Sequence, residues 1–174
     1  NLLAQVADTG GGQWPFAAVL GCIDSRVSSE LVFDQGVGDI FSIRIAGNFV
    51  NEDILGSLEF SCSVAGAKLI VVLGHKSCGA IKGACDGVEL GHLTQMLAKL
   101  HPAVNSVTEP VDASQRTAQN ADFVQAVAEQ NVRLTMARIL EESEVLRKLR
   151  DAGDVDVVGG MYDVESGAVE FLEG

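Results

Sequence analysis

The 174-residue chain has no apolar run approaching the ~20 residues needed to cross a bilayer. Its longest core-like runs are Phe16–Leu20 and Leu69–Leu73, so no membrane partner is expected. Basic residues are scarce. Twelve Lys and Arg stand against 24 Asp and Glu, giving a net charge of −12 and a pI near 4.5. A surface that acidic repels phosphate backbones and argues against nucleic acid as a partner. Internal repeats and low-complexity tracts are absent, and Gly10-Gly11-Gly12 is the only linker-like stretch. Cysteine is also sparse, at four residues. A chain of this length buries roughly two-thirds of its unfolded surface, so its core needs no disulfide staples. Free, buried or metal-bound thiols are the expectation. The remaining composition, 47% hydrophobic and 21% charged, excludes a disordered chain or a coiled coil.

The length suits one domain over residues 1–174. The chain opens at Asn1 rather than Met, so processing or trimming is expected, with a soluble, cytoplasmic protein as the default. Phe16–Leu20 does not alternate with polar residues and reads as a strand buried on both faces, ending at Gly21. One or two helical turns are expected over Glu30–Phe33, and a second strand over Asp39–Ala46. Asn51-Glu52-Asp53 supplies helix-start chemistry for Ile54, Leu55, Leu58, Cys62 and Ala65, with Gly66 as the stop. The branched run Leu69–Leu73 is the strongest strand signal, and Gly74 is expected to end it. A helix over about Leu93–Leu100 should stop near Pro102. A long helix over Ala121–Leu140 and another from Ser143 to about Leu149 follow. Val155–Met161 and Val169–Leu172 form a terminal hairpin about Glu165-Ser166-Gly167. The sum is an α/β fold: a parallel sheet with flanking helices and an antiparallel C-terminal extension.

Ligands in such sheets bind beyond the carboxyl ends of the strands. Cys22-Ile23-Asp24-Ser25-Arg26 lies there after the first strand, and His75-Lys76-Ser77-Cys78 after the strong one. If the two strands are neighbours, Cys22, His75 and Cys78 converge, with His75 and Cys78 sharing one side of a helical turn. Two Cys and one His form a three-ligand zinc set with an open fourth position, the arrangement of a catalytic site. Cys62, in a helix, and Cys85, beyond the next turn, are badly placed to close it. Asp24 and Arg26 point the same way in an extended segment, so the guanidinium can hold the carboxylate ionised and aimed at the metal.

Cys-x-Asp-Ser-Arg, then a buried strand and Gly-His-x-x-Cys-Gly, resembles the β-class carbonic anhydrases over most of the chain, from about Gln13 to Gly159–Leu172. The resemblance implies that Cys22, His75 and Cys78 hold one Zn2+ per subunit and that Asp24 and Arg26 form the catalytic dyad. It implies zinc-dependent reversible hydration of carbon dioxide to bicarbonate, with Asp24 resting off the metal. It also implies a substrate pocket of Gln13 (from Gln13-Trp14-Pro15), Phe41, Ala46, Phe60 and Gly79, built across a homodimer or a dimer-based higher oligomer. Only 12 residues precede Gln13, so the family's N-terminal arm is expected to be short or missing. Val19 stands where some members carry a Trp that holds a regulatory bicarbonate, and Arg44 matches that pocket's Arg while also fitting a structural role.

Two thiolates offset the charge of zinc, so activity should rise toward alkaline pH. His92 and His101 are candidate proton shuttles by residue type alone. An alternative substrate on the same scaffold is carbonyl sulfide or carbon disulfide. A more distant alternative is a non-catalytic zinc or redox sensor switching through Cys22 and Cys78, which leaves Asp24 and Arg26 without a task. Gly36-Val37-Gly38 lacks the rest of a phosphate-binding fingerprint and reads as a turn.

Overall fold

A computed structural model describes residues 1–173. Five strands form one sheet in the order β2-β1-β3-β4-β5. Strands β1 (Ala17–Gly21), β2 (Ile40–Arg44), β3 (Leu69–His75) and β4 (Asp156–Tyr162) are parallel to their neighbours, and β5 (Val169–Phe171) closes antiparallel on β4. The α/β expectation, the strand pairing and the terminal hairpin all hold. In β1 and β3, alternate side chains go to opposite faces, and both faces are covered. Ala18, Leu20, Ile70 and Val72 join the larger core, with Phe123, Val127 and Val132 of the long helix Ala121–Glu142. Ala17, Val19, Val71 and Leu73 join a smaller one with Val27 and Ile40. This two-sided burial explains why neither strand alternates in sequence.

Eight α-helices surround the sheet among the described residues: α1 (Leu2–Thr9), α2 (Ser29–Val32), α3 (Glu52–Glu59), α4 (Gly79–Cys85), α5 (Gly91–Ala98), α6 (His101–Ser106), α7 (Ala121–Glu142) and α8 (Glu144–Asp151). Caps match their sequence signals. Asn51 Oδ1 accepts from the Ile54 amide at 2.9 Å, and Ser143 Oγ accepts from the Leu146 amide at 3.1 Å. After α3 the chain widens into a π turn over Phe60–Val64, where the Ser61 hydroxyl donates to the Ser57 carbonyl at 2.7 Å.

Three sequence expectations are corrected. Gly74 does not end the strong strand, because Gly74 and His75 still pair with Met161 and Tyr162 of β4. Pro102 does not stop a helix but starts α6, at a first-turn position where its missing N–H costs nothing. Cys85 is the last residue of α4 rather than lying beyond a further turn. Helix α1 had no sequence signal strong enough to draw it. It buries none of its residues and leaves Leu2, Leu3 and Val6 exposed.

Gly74 is needed for space rather than for conformational freedom. A Cβ there would lie 2.6 Å from Met161 Sδ and 2.7 Å from Val132 Cγ2 of α7. Met161 can move, but the β-branched Val132 cannot turn away freely. We expect Gly74→Ala to lower stability by about 1–3 kcal/mol, as overpacked cores do, read from the midpoint of chemical denaturation. An unchanged midpoint would show that α7 is not packed directly on β3.

Candidate metal centre

Strands β1 and β3 are adjacent, with Gly21 paired to Leu73, so the segments that follow them emerge side by side. Cys22 is the first residue beyond β1, and His75 is the last of β3. The chain then turns at Ser77, held at φ +57°, and delivers Cys78 as the cap of α4. His75 and Cys78 therefore meet through a strand end and a tight turn, not along one side of a helical turn as the spacing suggested. One donor atom from each of Cys22, His75 and Cys78 lies within 4.8 Å of the others, and all three residues are buried. The two sulfurs are 3.9 Å apart, and neither is in a disulfide.

The imidazole is held in one tautomer. Nδ1 sits 3.0 Å from the Lys76 carbonyl, which can only accept, so Nδ1 carries the hydrogen. Nε2 then presents a lone pair, is buried, and has no hydrogen-bond partner. A buried acceptor without a partner, facing two sulfurs, fits a soft divalent cation. The thiols point the same way. Cys22 is held well below the usual thiol range, first by the neighbouring Cys78 and in smaller part by the Gly47 amide, against the cost of burial. Cys78 is pushed up by Cys22 and by burial, although the amides at the start of α4 favour its ionised form. One proton on the pair is what two thiolates in contact allow; a doubly charged ion would stabilise both in ionised form. The donor set of two sulfurs and one nitrogen matches zinc with one position left for a non-protein ligand. Cys62 and Cys85 lie outside the cluster and are apolar in surroundings. Burial is the main cause holding each thiol up near about 11.

Asp24 stands beside the cluster, Oδ2 lying 3.9 Å from His75 Nε2. Arg26 grips it with both arms: Nε donates to Oδ1 at 2.9 Å, the second guanidinium nitrogen to Oδ2 at 2.7 Å, and the Arg26 amide to Oδ1 at 3.0 Å. The Arg26 side chain is the main cause that holds the Asp24 carboxyl far below the usual carboxylate range, so it is an acceptor only. Arg44 of β2 has a structural role. It donates to the carbonyls of Cys22 at 2.9 Å and Asp24 at 2.7 Å and so fixes the loop that carries both. Gly47, absent from the sequence reading, donates its amide to Cys22 Sγ at 3.4 Å.

The other anticipated residues divide. Ala46 adjoins Gly47 and is half-buried, and Gly79, the first residue of α4, has open space where a side chain would stand. Phe41 and Phe60 form an edge-to-face pair with ring centroids 6.2 Å apart, lining an open cleft with Glu52, Asp53 and Ser57. That cleft contains none of Cys22, His75 or Cys78. Gln13 is exposed, as are His92, in the first turn of α5, and His101, the first residue of α6; both stand outside the cluster.

A family model described as carbonic anhydrase matches residues 17–169. Carbonic anhydrase 2 of Mycobacterium tuberculosis is 34% identical over 161 residues, covering 92% of this chain and 76% of the relative. Among solved structures, the β-carbonic anhydrase CcaA superposes with a TM-score of 0.87 at 24% identity, over 99% of this chain and 86% of that one. A structure from a study of two tetrameric β-carbonic anhydrases of Sordaria macrospora gives a TM-score of 0.82 at 24% identity, over 97% and 85%.

Purified protein equilibrated with zinc should retain about one ion per chain after gel filtration, and Cys78→Ser should retain almost none. Metal content by mass spectrometry checks both. Equal retention by the variant would mean that the ion sits elsewhere.

Proposed function

Because the chain belongs to the β-class carbonic anhydrases, a family of enzymes, we propose that it catalyses the reversible hydration of carbon dioxide to bicarbonate, with zinc held by Cys22, His75 and Cys78. The observation that carries this reading is the partnerless, buried Nε2 of His75 beside two sulfurs, with a clamped carboxylate at the edge of the cluster. A zinc ion in that cluster supplies Lewis-acid chemistry, lowering the pKa of water so that a hydroxide nucleophile is available near neutral pH.

The protein's own groups do the rest. Asp24, ionised and held by Arg26, accepts a hydrogen bond from the attacking water and turns the oxygen lone pair toward carbon dioxide. Both its oxygens already accept from the Arg26 amide and guanidinium, and those bonds oppose a swing of the carboxylate onto the metal. Carbon dioxide is uncharged, and Phe41, Phe60 and Ala46 give it an apolar wall that excludes bulk water. The Gln13 amide and the Gly79 N–H donate to the bicarbonate oxygens as negative charge develops on them. The hydration releases one proton, which leaves the site for solvent or buffer.

Oligomerisation belongs to this reading. Trp14, Phe16, Leu31, Phe60 and Val64 are large apolar side chains about half or more exposed. A homodimer that covers them would bring Gln13, Phe41 and Phe60 of one chain toward the cluster of the other, and pairs of dimers would give the tetramers named for the Sordaria macrospora enzymes.

Stopped-flow assay of the zinc-loaded enzyme should show carbon dioxide hydration. Asp24→Asn should lose at least ~10²-fold in kcat with zinc content unchanged. Carbonyl sulfide offered to the same preparation should release sulfide far more slowly than carbon dioxide is hydrated. Fully loaded wild type and variant that are equally inert would end the enzyme reading.

A further inference from the structure

Asn131 is a polar side chain on the buried face of α7, 4% exposed among Val127, Ala128 and Val132. It is not stranded there. Its side-chain amide donates to the Gly47 carbonyl at 2.8 Å, across 84 positions of sequence. Gly47 in turn donates its own N–H to Cys22 Sγ at 3.4 Å. Gly47 is the inner residue of a turn closed by the Asn48 amide on the Ile45 carbonyl at 2.9 Å, and its φ is +82°. A Cβ at Gly47 would lie 2.8 Å from Leu100 Cδ1, so the turn is pressed from one side by Leu100 and held from the other by Asn131. Asn131 on the Gly47 carbonyl and Ile45 on the Asn48 amide fix the peptide plane after Gly47, which leaves only the two backbone torsions of Gly47 to set the direction of its N–H, in the plane before.

That direction matters because an N–H aimed at a thiolate withdraws part of its charge. Cys78 has the amino end of α4 for this purpose; Cys22, beyond a strand, has no helix end, and the Gly47 amide donates to its sulfur at 3.4 Å. We propose that Asn131 is a positioning residue of the metal centre, acting through Gly47 to set how tightly, and with how much charge, the Cys22 thiolate holds the ion. The inference rests on the zinc reading above. It adds a residue from a helix that contributes no metal ligand.

The test uses cobalt(II)-loaded protein. Two readouts are followed: the near-ultraviolet thiolate-to-cobalt charge-transfer band, and the rate at which a competing chelator removes the ion. Asn131→Leu keeps the volume and deletes the donor. Asn131→Met deletes the donor with a second apolar side chain of similar size. Both should move the band to longer wavelength, because a thiolate without its N–H is easier to oxidise, and should speed metal loss about 10–100-fold. Ile139→Val, also buried on α7, should weaken packing while leaving band and release rate as in wild type. Folded Asn131 variants with the wild-type band and release rate would overturn the inference, and so would Ile139→Val moving both readouts equally. Should both Asn131 variants fail to fold, wild type loaded with cadmium-113 decides: the Gly47 amide proton should couple to the metal nucleus, and absence of coupling overturns it. Wild type that takes up no cobalt or zinc fails the metal reading itself, an outcome distinct from loaded wild type whose variants are unchanged.

Discussion

Two sulfurs 3.9 Å apart, beside a buried imidazole nitrogen with no partner, form an arrangement that is costly without a cation. Two adjacent thiolates repel, a shared proton satisfies only one of them, and Nε2 has lost its water without gaining a donor. A small doubly charged ion resolves all three at once. The surrounding structure holds the donors in place regardless of that ion: Nδ1 of His75 on the Lys76 carbonyl, Arg44 on the Cys22 and Asp24 carbonyls, Gly47 on Cys22 Sγ. Each of these contacts has a backbone group on at least one side.

The sheet makes the juxtaposition possible. Cys22 and Cys78 are 56 positions apart and meet only because β1 and β3 are neighbours in register. Two-sided burial of those strands makes them rigid, and rigid strand ends are what a site needs to keep donors within a few tenths of an ångström of their places. Asp24 and Arg26 ride on the same loop as Cys22. The Asp24 carboxylate and the Cys22 sulfur are therefore positioned by one short segment, itself pinned by Arg44.

Much of this was legible in sequence because it is local. Continuous apolar runs gave β1 and β3, Asn51 and Ser143 gave their helix starts, and the strand-end rule picked out Cys22, Asp24, Arg26, His75 and Cys78. What was misread depended on tertiary partners. Gly74 looked like a strand stop, yet β4 pairs beyond it, and Pro102 looked like a helix stop, yet a second helix begins there. The His75–Cys78 spacing suggested one helical turn, and only the positive φ of Ser77 reveals the turn that replaces it. Asn131 left a fainter trace: a polar residue in phase with Val124, Val127 and Ala128 on the buried face of α7. Its meaning lies 84 positions away, where periodicity cannot point. Phe41 and Phe60, anticipated as pocket residues, line a cleft that contains none of the three cluster residues, and Gln13 is exposed.

The central claim, that two sulfurs and one imidazole hold a single zinc with a face left open, is tested most directly by X-ray absorption at the zinc edge. The account predicts two sulfurs near ~2.3 Å, one imidazole nitrogen near ~2.0–2.1 Å and one further light ligand. A shell of three or four sulfurs, or one made only of nitrogen and oxygen, would contradict it.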